Sequence, residues 1–238
     1  MANVKRVIEK EERCATGISG FDKLCEGGFV SDSINLVLGN AGAGKTTFCL
    51  QFLYNGCVKY NENGVFVSFE QDIPDLIRTG KKMGMDFEKL EKEGKCSFVR
   101  FNPYMTIKEL QKELVKLVTK SDVKRICFDP INVFALEFPK EISLRRQLYD
   151  FFNLVKQLDI CVVISGESDE NEAGGAQSVS EELFFSKYLS DSVTELYSSG
   201  IGGDGDRAIR IIKMRMTNHF RGPVGMNLTS KGVNVLKS

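Results

Sequence analysis

The chain has no tryptophan, one histidine, five prolines and no net charge, its 32 Lys and Arg balancing 32 Asp and Glu over 238 residues. The charge balance argues against a protein that coats nucleic acid, because binding phosphate along a backbone needs a surplus of cations. A lone histidine, His219, is by type more often packed or surface-exposed than a ligand. No apolar run approaches the roughly 20 residues of a membrane-spanning helix. The opening MANVKRVIEKEERC holds no apolar stretch of the secretory kind. The seven cysteines, at 14, 25, 49, 57, 96, 127 and 161, form no C-x-x-C pair. Their spread predicts reduced, packed thiols in a cytoplasmic protein rather than a disulfide scaffold or a zinc site. With 42% apolar residues and 17 phenylalanines, core material is ample. A chain of this size buries roughly 70% of its extended surface.

Apolar runs alternate with helical periodicity. Ser33–Leu38, Val65–Phe69, Arg125–Phe128 and Ile160–Ser165 read as buried strands. Thr46–Tyr60 reads as a helix. So does Thr106–Lys120, with Ile107, Leu110, Leu114, Leu117 and Val118 on one face. Ser143–Leu158 is a third, carrying Leu144, Leu148, Phe151, Phe152, Val155 and Leu158. This switching of period predicts βαβ units around a mostly parallel twisted sheet, an α/β fold. Ser192–Tyr197, Arg207–Met216 and Val224–Leu228 follow without helices and predict antiparallel edge strands on the same sheet. One domain is expected over 1–238, with 1–12 as an N-terminal extension. Gly166–Glu182 carries six acids and no Lys or Arg. It reads as a solvated loop or one that faces a partner protein, and its charge speaks against DNA.

The strongest signal is Gly39, Asn40, Ala41, Gly42, Ala43, Gly44, Lys45, Thr46, a full G-x-x-x-x-G-K-[ST] match between a strand and a helix. Glycines let successive N–H groups curl toward phosphate oxygens, and the helix adds its positive end. Lys45 is placed to reach β- and γ-phosphates, and the Thr46 hydroxyl to ligate Mg²⁺. Asp129, ending an apolar strand, is the candidate metal partner. Glu70, ending Val65–Phe69, is the candidate for orienting the attacking water. Its strand is expected to lie beside the phosphate-loop strand. The competing reading of Glu70 is a surface acid at a strand exit.

Further residues fall in one order: Thr16-Gly17-Ile18-Ser19-Gly20-Phe21-Asp22, Gly27-Gly28-Phe29, Gln51-Phe52-Leu53-Tyr54, Gly64 to Glu70, Met83-Gly84-Met85-Asp86, and Ile212 to His219. Together with the loop they resemble a single-domain KaiC-like ATPase of the RecA superfamily, over about residues 13–236. The resemblance implies a ring, usually of six subunits, with ATP and Mg²⁺ between neighbours. It implies Lys45, Thr46 and Thr47 on phosphate and metal, and Glu70 as catalytic carboxylate. Gln71 stands where the family often has a second acid. Lys213 and Arg215 match the pair that reaches a neighbour's γ-phosphate. Their i, i+2 spacing on a strand agrees, though charged edge residues that block sheet-to-sheet pairing would look the same. Met214, Thr217, His219, Thr229 and Ser230 align with positions lining the neighbour's base and ribose. Clock members phosphorylate a Ser-Thr pair where this chain has Lys187 and Tyr188, so autophosphorylation there is not expected.

The expected activity is therefore ATP hydrolysis by a homo-oligomer, with a possible regulatory protein partner. A nucleotide-gated scaffold with little turnover is the alternative. A strand-exchange recombinase fits the charge poorly.

Overall fold

A computed structural model of the protein describes residues 11–102, 105–130, 141–168, 186–200, 202 and 206–236. Eleven strands and six helices are described. The strands are β1 Arg13–Cys14, β2 Phe29–Val30, β3 Ile34–Gly39, β4 Asn63–Ser68, β5 Cys96–Arg100, β6 Val123–Asp129, β7 Cys161–Glu167, β8 Ser192–Ser198, β9 Arg207–Met214, β10 Val224–Thr229 and β11 Gly232–Val235. The helices are α1 Phe21–Leu24, α2 Lys45–Lys59, α3 Ile73–Lys82, α4 Phe87–Lys92, α5 Ile107–Ser121 and α6 Glu141–Lys156.

Nine strands form one sheet in the order β11-β10-β9-β8-β3-β7-β6-β4-β5. The six from β8 to β5 are parallel, and β9, β10 and β11 continue antiparallel. All six residues of β3 are buried, as expected of a strand covered on both faces. Two cores sandwich the sheet. One gathers Phe21, Phe29, Phe48 and Phe52 around α2, with edge-on ring contacts of 5.3–6.0 Å for three of the pairs. The other packs Phe128, Phe151, Phe152, Leu110 and Leu114 beneath α5 and α6. Local chemistry starts the helices. Thr106 and Glu109 cap α5 reciprocally, and Asp86 accepts from Lys89 N at the head of α4.

Three sequence expectations need correction. The strand leading to Glu70 is not beside the phosphate-loop strand, because β7 and β6 lie between them. β9 ends at Met214, two residues short of the expected Met216, so Arg215 lies in the turn that follows. The ladder with β8 also slips between Val193 and Thr194. Alternation along a regular strand therefore does not set how Lys213 and Arg215 are aimed. The acidic stretch beyond Ser168, through Glu182, lies outside the described residues. All seven cysteines are buried and free.

Candidate functional site

The site is built at the carboxyl ends of the parallel strands, where open α/β sheets bind ligands. β3 ends at Gly39 and the chain turns through Asn40 to Gly44 into α2. Gly42 and Gly44 have φ of 75° and 103°, conformations that side chains rarely adopt. A Cβ on Gly44 would also stand 2.9 Å from Leu228 Cδ2. Asn40 fixes the loop to β8, donating to Ser198 O at 2.7 Å and accepting from Ser198 N. The first turn of α2 carries no acidic side chain and no side-chain cap. Its amides and the positive helix end therefore stay free for an anion.

A cleft of about 360 Å³ opens over this turn, lined by Ala41, Lys45, Thr46, Thr47, Glu70, Asp129 and Glu167 among others. Lys45 Nζ donates to Gly39 O and Asn40 O at 2.8 and 3.0 Å. Thr46 Oγ1 donates to Asp129 Oδ2 at 2.8 Å, and Ser165 Oγ donates to Asp129 Oδ1. A hydroxyl beside a carboxylate is the oxygen donor set a hard divalent cation takes, so these residues fit Mg²⁺.

Glu70 reaches the cleft despite two intervening strands. Phe69 N donates to Asp129 O at 3.1 Å, which carries the end of β4 to the end of β6 and turns the next residue inward. In the sequence Glu167 falls both in the acidic stretch and at the polar strand end Ser165 to Glu167, which loosely matches a sensor-like position of the KaiC-like family. The structure makes it the last residue of β7, opposite Gly39 in the parallel register, and brings it into the cleft. Its signal in the sequence was its position at the tip of an apolar strand. Burial raises the Glu70 carboxyl above its ordinary value, and the charges of Glu167 and Asp129 push it further against the pull of Lys45. Burial also lowers the Lys45 ammonium, opposed by Glu167 and Asp129.

Lys213 and Arg215 lie at the opposite end of the sheet. Met214 pairs with Ser192, and Asp191 N donates to Ile34 O, the first residue of β3. The loop begins at Gly39, five residues along β3, roughly 17 Å away at about 3.3 Å per residue. Lys213 Nζ donates to Lys187 O, Tyr188 O and Ser190 O. Arg215 donates to Tyr188 O at 3.2 Å and to Asp191 Oδ1 at 3.5 Å. The two cations converge on one carbonyl.

The remaining expected base-lining residues separate. The Met214 side chain is buried in this chain's own core, so it offers a neighbour no side-chain contact. Thr217 accepts from Arg13 Nη1 at 2.7 Å and donates to Arg215 O, and His219 contacts Phe220 O through Nδ1. Both follow the segment that carries Lys213 and Arg215, the arm. Thr229 and Ser230 do not, because β10 runs antiparallel to β9 and returns to the loop end, where Leu228 lines the cleft. They follow Leu228 at that end of the sheet, and neither lines the cleft itself: Thr229 donates to Gly232 O and borders a separate cavity with Gln51 and Tyr54. Thr16 and Gly17 of the N-terminal motif serve structure: Thr16 N, Thr16 Oγ1 and Gly17 N all donate to the Asp22 carboxylate.

A nine-stranded, mostly parallel sheet with this loop on its central strand defines a RecA-like P-loop nucleotide-binding protein. The family described as "ATPase: KaiC" matches residues 14–238, and the chain belongs to that family. It is 30% identical over 229 residues to the circadian clock oscillator protein KaiC of Parathermosynechococcus lividus, covering 92% of this chain and 41% of that one. It is 31% identical over 233 residues to the KaiC of a Nostoc species, covering 94% and 44%. The chain thus spans less than half the length of these curated relatives. The crystal structure of a KaiC-like protein from the archaeon Pyrococcus horikoshii matches at a TM-score of 0.82 and 30% identity, covering 95% of this chain and all of that one. No described helix is long and apolar enough to cross a membrane.

Proposed function

We propose that the protein is a Mg²⁺-dependent ATPase acting as a homo-oligomeric ring, each nucleotide completed by the adjoining protomer. The observation that carries the reading is the separation of its two halves. The cleft holds a loop, a lysine, two threonines and three carboxylates, while Lys213 and Arg215 stand a strand's length away on the same subunit. One copy does not close its own site. Two copies arranged head to tail would, and that arrangement generates a ring when its rotation closes. The exposed Tyr188, Ile212, Met216 and Phe220 around the arm support a face that a second copy covers.

In this mechanism the loop amides and Lys45 hold the phosphates, Lys45 exchanging the carbonyls of Gly39 and Asn40 for phosphate oxygens. Thr46 and Asp129 would hold the metal, which would supply positive charge to offset that of the phosphates. Glu70 orients the water and takes its proton, its raised pKa bringing it closer to neutral pH as a base requires. Lys213 and Arg215 of the neighbour neutralise charge developing on the γ-phosphate. Thr217 and His219 extend the neighbour's side of the site, and Thr229 and Ser230 the chain's own. By analogy with clock relatives, the physiological role is regulatory, with a protein partner, in a single domain that operates in the cytoplasm.

Gln71 in the cleft lining favours a second reading, a nucleotide-gated scaffold with little hydrolysis. Arg215→Ala tests the first. Turnover falls by a factor on the order of 10³ while nucleotide affinity stays within a few-fold, and light scattering still reports assembly with ATP and Mg²⁺. Unchanged turnover contradicts the in-trans role, and assembly without detectable phosphate release favours the scaffold.

A further inference from the structure

Asp191 joins the arm to the phosphate-loop strand. Its backbone N donates to Ile34 O at 2.8 Å, and its Oδ2 accepts from Ile34 N at 3.0 Å. One oxygen is thereby committed to β3. The other, Oδ1, faces two cations: Lys156 Nζ at 2.9 Å and Arg215 Nη1 at 3.5 Å. Strong N⁺–H···O⁻ pairs close to about 2.7–2.9 Å, so Lys156 holds the carboxylate and Arg215 is left at arm's length. Lys156 is the last residue of α6. Phe151, Phe152 and Val155 of that helix are buried in the core, which fixes where the ammonium can reach. Arg215 is anchored through its backbone, its N donating to Asp191 O at 2.9 Å, while its guanidinium is about half exposed.

We propose that Lys156 is a positioning residue: by occupying Asp191 Oδ1 it keeps Arg215 free to turn toward the adjoining protomer's γ-phosphate. The proposal rests on the in-trans reading above. Without Lys156, Arg215 closes onto Asp191 and the parked state gains a full ion pair, lowering the fraction of arms available to a neighbour. In the wild-type chain Lys156, Lys213 and Arg215 gather around the Asp191 carboxylate. The crowding shows at Lys213, lowered by burial and further by Arg215 and Lys156. That excess of positive charge suits an incoming phosphate.

The test compares wild type, Lys156→Met, Lys156→Arg, Asp191→Asn with Lys156→Met, and Arg215→Ala, each assembled with ATP and Mg²⁺. Lys156→Met lowers kcat by roughly 3- to 10-fold, the scale of one partly exposed ion pair, with KM for ATP unchanged. Lys156→Arg retains turnover, and the double variant recovers it because the competing carboxylate is gone. In nucleotide-free crystals of Lys156→Met, the Arg215 Nη1 to Asp191 Oδ1 separation shortens from 3.5 Å to hydrogen-bonding length. Unchanged turnover in Lys156→Met overturns the proposal. So does a loss that the double variant does not restore, which would make Lys156 a fold support. Arg215→Ala at wild-type turnover removes the in-trans reading itself, a failure separate from that of Lys156.

Discussion

The Thr46 hydroxyl donates to Asp129 Oδ2 at 2.8 Å, joining the first turn of α2 to the tip of β6 across 83 positions of sequence. The contact brings together the two oxygen donors proposed to hold the metal. Thr46→Ala removes one of them without disturbing the loop glycines. The Mg²⁺ concentration for half-maximal turnover then rises on the order of tenfold, whereas Thr46→Ser stays near wild type. A metal titration of initial rates reads the difference.

Lys45 is half-buried in the cleft and bonded only to loop carbonyls among its described contacts. Lys45→Ala removes the charge that phosphate oxygens would meet and weakens nucleotide binding roughly 10- to 100-fold. Its circular dichroism stays unchanged, since the described bonds of Lys45 only close the short turn between the end of β3 and the start of α2. Titration with a fluorescent ATP analogue checks this.

Glu70 and Glu167 set the pH dependence together. Glu70 acts only when ionised, and burial together with Glu167 and Asp129 holds its pKa above the ordinary 4.5. The acid limb of kcat therefore falls at higher pH than an exposed glutamate would give. Glu167→Gln removes one of the charges responsible and moves that limb to lower pH. The same shift fixes the sign for stability. As pH rises, the unfolded chain ionises Glu70 before the folded one, so the penalty is absent on the acid side and grows through the window between the two values. Glu70→Gln accordingly abolishes turnover and raises Tm at neutral pH but not below pH 4.5. Equal Tm for both proteins at neutral pH contradicts the argument.

Arg125 is fully buried, paired with Glu62 at 2.5 Å and stacked over the rings of Phe52 and Tyr60 at 4.7 and 5.1 Å. It serves the fold. Glu62→Ala leaves a buried cation short of its partner and costs roughly 2–3 kcal/mol by urea denaturation, with nucleotide affinity unaltered.

The phosphate loop and the alternating elements were legible in the sequence because they are local: an apolar run, a glycine turn and a 3.6-residue period each lie within a dozen positions. Observed ends of β3, α2 and β6 differ from the expected ones by one or two residues. Strand order was not legible. Crossovers between parallel strands are long, and nothing in Val65–Phe69 shows that β7 and β6 separate it from β3. Glu70 still reaches the cleft, beside the hydrogen bond from Phe69 N to Asp129 O, which no periodicity displays. Residues 73–100, with α3, α4 and β5, escaped assignment because they are short and rich in charge. Arg125 was read as part of a strand, and its burial follows from an acid 63 positions away in sequence. Thr229 and Ser230 were grouped with Thr217 and His219 because alignment follows chain order, while the antiparallel return of β10 sends them to the other end of the sheet.

The most direct measurement mixes two impaired variants, at an ATP concentration where each alone turns over little. Lys45→Ala lacks the loop cation but offers an intact arm, and Arg215→Ala has an intact loop but no arm. If each site is shared between neighbours, equal mixing restores about a quarter of wild-type turnover, from interfaces that pair an intact loop with an intact arm. Turnover that stays at the level of the separate variants at every mixing ratio, in mixed assemblies verified by mass spectrometry, contradicts the account.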